Sequence, residues 1–307
     1  MLRQLAILLL SSAIVLPASA MAQAETLIVR VVLSDDSPPY RQFSAALNKT
    51  LAASKADVNV IESQSGSNAD TGLVIAVGMK ATESTIVSSA APVLGVMIPR
   101  MGYEVLLESH SIHHQTKATS AIYLDQPWNR QLDFIRTALP GHRKIGLLHS
   151  PDAHIDFASL RKSAAARGLS LTAQPVQSAE TLAAVLEGIL NENDLLLAIP
   201  DSAIYNSNNV RNILLTSYRY KVPLIGISQA YVNAGALGAI FSTPEQLAEQ
   251  TAGVIVSFIR NKQLPEPQYP VSFSIALNQQ VARSLGIVLS SPEDIRRHMD
   301  KMGEGRR

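Results

Sequence analysis

The chain has 307 residues, of which 47% are hydrophobic, and its 26 basic and 25 acidic side chains leave a net charge of +1. This balance excludes the concentrated basic surface that nucleic acids and anionic membranes require, so neither is expected as a partner. Cysteine is absent, which excludes disulfides, thiolate nucleophiles, cysteine metal sites and the acylated cysteine of a lipoprotein.

Residues 1–24 have the layout of a secretory signal peptide. Arg3 precedes an apolar run from Leu5 to Leu16, and the small residues at Ala18–Ala20 or Ala22–Ala24 suit cleavage. The run is shorter than the roughly 20 residues of a membrane span. We therefore expect an exported periplasmic protein, not a lipoprotein, with no membrane span once the signal peptide is cleaved.

The next part of the chain predicts short strands that alternate with amphipathic helices. Strands are predicted at Thr26–Leu33, Val58–Glu62, Leu73–Val77 and Val93–Ile98, and helices at Tyr40–Ala53 and Met79–Ser89. The stretch Met101–Thr119 follows neither period, so no element is predicted there.

The alternation resumes at Ser120. Strands are predicted at Ser120–Leu124, Lys144–His149, Leu169–Val176, Asp194–Ile199, Val222–Ile227, Ala236–Phe241 and Val271–Leu277, and helices at Pro127–Leu139, Ile155–Arg167, Ala179–Leu190, Ala203–Tyr220 and Pro244–Asn261. A strand that reads as one apolar run, such as Leu195–Ile199, must be covered on both faces. The pattern therefore predicts parallel sheets between layers of helices.

These elements predict an α/β fold of two Rossmann-like lobes, each built on a parallel sheet, joined by hinge crossovers. Residues 25–119 plus about 243–270 are assigned to the N-terminal lobe, 120–242 plus about 271–290 to the C-terminal lobe, and 291–307 to a polar, solvated tail. If the helix at Pro244–Asn261 returns to the first lobe, the chain crosses between lobes more than once, which makes a hinge.

Ligands of open parallel sheets bind outside the carboxyl ends of the strands, where helix N-termini present free N–H groups. Among the loops at these ends, including Ile98–Arg100, we choose as ligand-binding candidates Ser34, Asp35, Gly78, Met79, Lys80, Ala81, Thr82, Ser150, Asp152, Asp201, Ser202, Ser228 and Tyr231. Gly78 would let the backbone approach an anionic group of a ligand, or would serve only as a tight turn.

Three further candidates also carry alternatives. Asp201 would pair with a ligand amine or cap the next helix, and Thr82 would donate to a ligand or be an ordinary helix residue. Tyr231 would stack on a ligand or pack in the core. We expect Asp201→Ala to weaken ligand binding without unfolding the protein.

Neither metal binding nor catalysis is favoured. His110, His113 and His114 are weak metal candidates, because a helix would place them on one face, but the stretch has no helical pattern and a polar surface loop is preferred. A Gly-x-Ser-x-Gly elbow is broken at Ala230, and no other hydrolase, nucleotide or zinc-protease motif occurs. We predict a protein that is not an enzyme and needs no cofactor.

Several segments carry a family resemblance that is strongest from about residue 120. They are Gln131–Pro140 followed by Lys144–Leu148, Ile199–Ser202, Val222–Gly226, Ala234–Ala239 and Asn278–Ile287. With them the chain resembles the substrate-binding proteins of bacterial ABC transporters, in an uncharacterised periplasmic branch related to tryptophan/tyrosine-binding proteins.

The resemblance implies the type I periplasmic-binding fold, with two lobes that close over a small molecule. It implies a periplasmic solute-binding protein that traps an amino acid-like or other small polar solute and presents it to ABC permease and ATPase subunits. The alternatives are a ligand-sensing subunit without a transporter, and a metal-binding protein that uses the loop from His110 to His114.

Overall fold

The computed structural model describes residues 26–63, 71–110 and 118–304. The predicted signal peptide, His113 and His114 lie outside these described residues. Within them, one sheet contains β1 (Leu27–Leu33), β2 (Val58–Ser63), β3 (Leu73–Val77), β4 (Val93–Ile98) and β5 (Thr119–Tyr123), in the spatial order β2-β1-β3-β4-β5. All of its strand pairs are parallel.

The second sheet contains β6 (Lys144–His149), β7 (Ser170–Pro175), β8 (Leu195–Leu197), β9 (Leu224–Gly226), β10 (Gly238–Phe241) and β11 (Ser274–Leu277). Their spatial order is β11-β10-β9-β8-β6-β7. The pairs are parallel except for the edge strand β11, which runs antiparallel to β10.

The helices alternate with the strands along the chain. They are α1 (Pro38–Ser54), α2 (Met79–Ser88), α3 (Arg100–Ser109), α4 (Trp128–Ala138), α5 (Phe157–Ala165), α6 (Leu182–Glu192), α7 (Val210–Arg219), α8 (Gln229–Ala234), α9 (Pro244–Asn261), α10 (Gln279–Leu285) and α11 (Pro292–Glu304). None of the helices within the described ranges is both long and apolar enough to cross a membrane.

Side chains of the first sheet are buried on both faces. Val29 and Val31 pack with α1 and α9 on one face, whereas Val32 packs with α2 and α3 on the other. We call this sheet with α1, α2, α3 and α9 the first lobe. The second lobe is the other sheet with the remaining helices, around a core that includes Leu195 and Phe134. The predicted α/β class with two parallel-dominated sheets is confirmed.

The described chain passes between the lobes at three places, which we call crossovers. The first is Leu124–Pro127, between β5 and α4; the second is Ser242–Thr243, between β10 and α9; and the third is Gln268–Phe273, between α9 and β11. The third runs beside β5, because the Gln268 N–H donates to the Ala121 carbonyl at 2.9 Å.

Three sequence-based assignments are wrong in detail. The second sheet was predicted to begin at Ser120, but β5 pairs with β4 in the first sheet. No element was predicted from Met101, yet α3 forms there with Tyr103 and Leu106 buried. The predicted polar tail forms α11, because Ile295 and Met299, one helical turn apart, are buried against the second lobe.

Candidate functional site

A cavity lies between the two lobes, at the carboxyl ends of β4, β5, β6 and β8. It is lined by Arg100, Met101, Asp125, Gln126, Trp128, Gln131, His154, Ile155, Ile199, Pro200 and Tyr269. The space among these side chains that water centres could occupy is about 30 Å³, more than the roughly 10–15 Å³ that one water needs. Both lobes and two crossovers therefore meet at one small space lined by polar and apolar side chains.

Arg100 begins α3 directly after a distorted end of β4. Met97 has a left-handed φ of 58°, and the register with β5 shifts between Val96 and Ile98, which marks a bulge that redirects the chain. The Arg100 guanidinium donates to the Tyr269 hydroxyl at 2.8 Å and pairs with Glu104 at 2.7 Å. These hydrogen bonds, that to Tyr269 first, raise the pKa of Arg100, so it stays charged.

Asp125 is the carboxylate of this cavity. It follows β5 in the first crossover, and its Oδ2 accepts the Arg100 backbone N–H at 2.7 Å, which satisfies a free donor at the start of α3. Burial raises the pKa of Asp125 to about 6, although the backbone N–H of Arg100 opposes the shift. The structure gives Asp125 no ion pair among the described residues.

Aromatic rings form part of the same wall. Trp128 begins α4 and lines the cavity while packing against the second-lobe core. Tyr269 lines it from the third crossover and meets Tyr123 edge to face, with ring centroids 5.3 Å apart. Rings beside a charged group supply apolar contact area and a surface that attracts cations.

The second lobe supplies the opposite wall. His154 and Ile155 come from the loop after β6, and Ile199 and Pro200 from the loop after β8. His154 Nδ1 lies 3.7 Å from Glu108 Oε1 of α3, so the lobes also meet through a polar pair, which is exposed.

None of the residues chosen from the sequence lines this cavity, but those of the first lobe lie on the same sheet edge. Ser34 Oγ accepts the Ala81 N–H at 2.9 Å at the start of α2. Gly78 has φ 85°, and an added Cβ would lie 2.5 Å from the Tyr40 hydroxyl. Thr82 is fully buried and donates to the Gly78 carbonyl at 2.8 Å, so its hydroxyl serves the helix.

The other candidates of the first lobe lie at the surface or in the core. Lys80 and Asp35 are exposed, and Asp35 accepts the Ser37 N–H at 2.8 Å. Ala81 is buried. Met79 is half-buried and packs in the first-lobe core beside Gly102.

In the second lobe, Asp201 joins two loops. It is buried, and its carboxylate accepts N–H groups from Ser150 at 2.7 Å and from Ala203 at 3.1 Å. Asp152 and Ser202 beside it are exposed. Asp201 thus has backbone partners where the sequence suggested a ligand amine.

Tyr231 packs mainly inside the second lobe. Its ring lies over Gly226, where an added Cβ would meet the Tyr231 Cβ at 2.4 Å, and its hydroxyl donates to the Tyr205 carbonyl at 3.2 Å. Burial raises the pKa of Tyr231 to about 12. Ser228 precedes α8 at its N-terminus. Ligand contact by the chosen residues stays a prediction.

The metal candidates are only partly placed. His110 ends α3, and its Nδ1 lies 2.9 Å from the Ser109 hydroxyl and 3.2 Å from the Leu106 carbonyl. The described part of the chain holds no group of three or more metal-ligating side chains. His113 and His114 lie outside it.

Sequence reasoning missed Arg100, Asp125, His154 and Tyr269. The loop Ile98–Arg100 was recognised as a strand end but was not chosen. Asp125 could have been chosen for the same reason, because it is a carboxylate that directly follows a strand. The sequence around Tyr269 gives no such indication, because only the third crossover brings this residue to the sheet edge.

Comparison with known families now decides the class of protein. The profile of the family described as ABC transporter substrate binding protein matches residues 117–301. The chain belongs to this family. The match includes the second lobe, all three crossovers and α9 of the first lobe, so the resemblance inferred from the residues is confirmed. No curated protein matches the chain.

Solved structures show the same fold at low sequence identity. A conserved domain protein from Vibrio cholerae is 17% identical with a TM-score of 0.63, covering 89% of this chain and 98% of its own. An ABC domain from Streptococcus pneumonia in complex with L-Trp is 16% identical, with a TM-score of 0.61 and coverages of 88% and 98%. A ligand-free, open substrate-binding protein with adhesive properties from Clostridium difficile is 12% identical, with a TM-score of 0.65 and coverages of 87% and 97%.

Proposed function

We propose that this protein binds a small organic solute in the cavity between its lobes, in the periplasm, and presents it to ABC permease and ATPase subunits. The observation that carries the proposal is that both lobes of a substrate-binding family member line one cavity, at the strand ends where ligands of such sheets bind. The solute is released unchanged, so the protein is not an enzyme.

The size of the cavity supports a closing motion. A space of about 30 Å³ is far smaller than the roughly 300–1,000 Å³ of pockets that hold small-molecule ligands. A solute therefore enters only if the lobes separate, and the crossovers are the segments that would bend. As moving units we propose residues 26–124 with 243–269, and 125–242 with 270–304.

The charges of the cavity support a solute with a protonated nitrogen. The guanidinium of Arg100 is already bound to Glu104 and to the Tyr269 hydroxyl. The carboxylate of Asp125 accepts the backbone N–H of Arg100 and forms no ion pair with a described side chain. An ammonium group beside Asp125 and the Trp128 ring would complete the site. Amino acids and related amines have this chemistry, and the Streptococcus relative was solved with L-Trp.

A thermal-shift screen of the mature chain tests the proposal. The panel contains amino acids, their decarboxylated amines, their deaminated acids and neutral sugars. Saturation at about 100 times Kd adds about 2.7 kcal/mol of stability, which raises Tm by several degrees. We expect amino acids and amines to raise Tm more than the matched acids and the sugars.

Two variants test whether the rise in Tm comes from binding at Asp125. Asp125→Asn should abolish the shift, whereas Asp152→Asn, which changes an exposed carboxylate outside the cavity, should keep it. The proposed binding fails if no member of the panel raises Tm at millimolar concentration. The assigned contact fails if binding is equally strong in Asp125→Asn.

A further inference from the structure

Buried polar side chains connect the three crossovers to one another. The Gln126 side chain donates to the Ser242 hydroxyl at 2.9 Å, and this hydroxyl donates to the Ser272 carbonyl at 2.6 Å. Gln126 belongs to the first crossover, Ser242 to the second and Ser272 to the third. Gln126 and Ser242 have exposures of only 5% and 6%, so the hydrogen bond between them is shielded from water. The bond to the Ser272 carbonyl is half-buried.

Arg130, which lies in α4, adds hydrogen bonds to the same group. Its guanidinium donates to the Gln126 side-chain oxygen at 2.7 Å and to the Pro270 carbonyl at 2.9 Å. It also stacks on Phe273, 4.8 Å from the ring centroid, while Arg296 of α11 stacks on the same ring at 4.1 Å. Arg296 donates to the Phe273 carbonyl as well. The C-terminal helix α11 therefore contacts the third crossover through Arg296.

Helix α9 holds the other side of the same region. Thr243 and Gln246 form a capping box at its start, and the Gln246 side chain donates to the Phe273 carbonyl at 3.3 Å. The second and third crossovers are therefore joined at the N-terminus of α9 too.

We infer that the hydrogen-bonded chain Gln126–Ser242–Ser272, held by Arg130, is the pivot of the lobes and sets how widely they separate. Groups that join the crossovers to one another lie near the axis of any lobe rotation, so their bonds persist while contacts across the cavity, such as His154 with Glu108, break. Segments tied in this way bend together, which restricts the lobes to a narrow range of angles. This inference rests on the lobe motion of the proposed function.

The absence of cysteine allows a direct measurement. Glu83→Cys on α2 and Lys162→Cys on α5 are exposed positions in different lobes, and they can be spin-labelled without a competing thiol. Pulsed electron resonance on the ligand-free protein then gives the distribution of distances between the lobes. A second pair, Glu83→Cys with Lys49→Cys, lies entirely in the first lobe. It measures how broad the distance distribution is when only the motion of the labels contributes.

Two pivot variants are compared with two matched controls. Gln126→Leu and Ser242→Ala remove pivot bonds, whereas Asn193→Leu and Thr251→Val remove buried hydrogen bonds that stay within one lobe. Because the pivot bonds persist in both forms, their loss should widen the range of lobe angles and should not favour one form over the other. We expect a broader interlobe distance distribution in the pivot variants and the parental distribution in the controls. Ser242→Ala, the smaller change, carries the test if Gln126→Leu does not fold.

Two other results are distinguishable. If the parent distribution is broader than the within-lobe reference but the pivot variants match the parent or the controls, the lobes move and the pivot assignment is wrong. If the interlobe distribution of the parent and of the pivot variants is as narrow as the within-lobe reference, the lobes form one rigid body, and the proposed function fails together with the pivot.

Discussion

Asp125 and Asp201 both follow strands, but their partners differ. Asp201 accepts two backbone N–H groups, from Ser150 and Ala203, and so joins the loops after β6 and β8. Asp125 accepts the Arg100 N–H and lies in the cavity with its pKa raised to about 6 by burial. One carboxylate therefore serves the fold, and the other can meet a ligand.

The raised pKa of Asp125 makes its ionisation costly to the folded state. The folded protein holds the Asp125 proton up to about pH 6, whereas the unfolded chain releases it near 3.8. This group therefore lowers stability as pH rises through that window. Because Asn cannot ionise, Asp125→Asn should be more stable than the parent by about 1–2 kcal/mol near neutral pH, after allowance for partial exposure. Below the window the advantage should disappear.

Urea unfolding of the parent and of Asp125→Asn, at about pH 4 and about pH 7.5, checks this expectation. A variant that is less stable than the parent at the higher pH would show that the charged form of Asp125 is favoured in the fold.

Asp201→Ala should destabilise the protein. It leaves the half-buried Ser150 N–H without its acceptor, at a cost of about 1–2 kcal/mol. Asp152→Ala, in the exposed neighbouring loop, should change stability by less than about 0.5 kcal/mol. Chemical denaturation of both variants decides the matter, and equal stabilities would mean that Asp201 does not hold the two loops. This expectation replaces the one drawn from the sequence, in which the variant lost only its ligand.

At the scale of elements, α11 is a structural part of the second lobe. Ile295 is fully buried and Met299 is 8% exposed, while Arg296 stacks on Phe273 beside the pivot. The C-terminal helix therefore contributes both to the core and to the hinge region.

Ile295→Ala should lower the free energy of unfolding by about 3 kcal/mol, because it leaves a cavity in the core. Arg297→Ala, on the exposed face, removes only a surface ion pair with Asp294 and should cost less than about 1 kcal/mol. Thermal unfolding of the two variants compares them directly. Equal, small losses would mean that α11 is not packed in solution.

Most strands and long helices could be predicted from periodicity, because their buried faces repeat regularly. Helix α3 could not be predicted, because Gly102 breaks the helical pattern of the sequence. This glycine packs on Met79, whose sulfur would lie 3.0 Å from an added Cβ, so it permits close approach of α2 and α3. The sequence also could not show which sheet contains β5, because its apolar side chains suit either sheet. Its pairing with β4 places it in the first sheet.

The site could be predicted only to the level of the sheet edge. Strand ends were recognisable, but Ser150, one of the two partners of Asp201, lies 51 residues away along the chain. Tyr269 reaches the cavity only through the path of the third crossover. Which strand-end residues face a ligand therefore depends on contacts that local sequence does not contain.

At the scale of the whole molecule, the two lobes, the cavity between them and the buried pivot form one arrangement for enclosing a solute. The cavity is small, its walls belong to different lobes, and the three crossovers that join the lobes are hydrogen-bonded to one another. Opening and closing is the motion that this arrangement permits.

Small-angle X-ray scattering tests this claim most directly. It compares the mature chain alone with the chain saturated by a solute that raises its Tm. We predict that the radius of gyration falls on binding, because the lobes close around the solute. A scattering curve that stays unchanged at saturation would contradict the account.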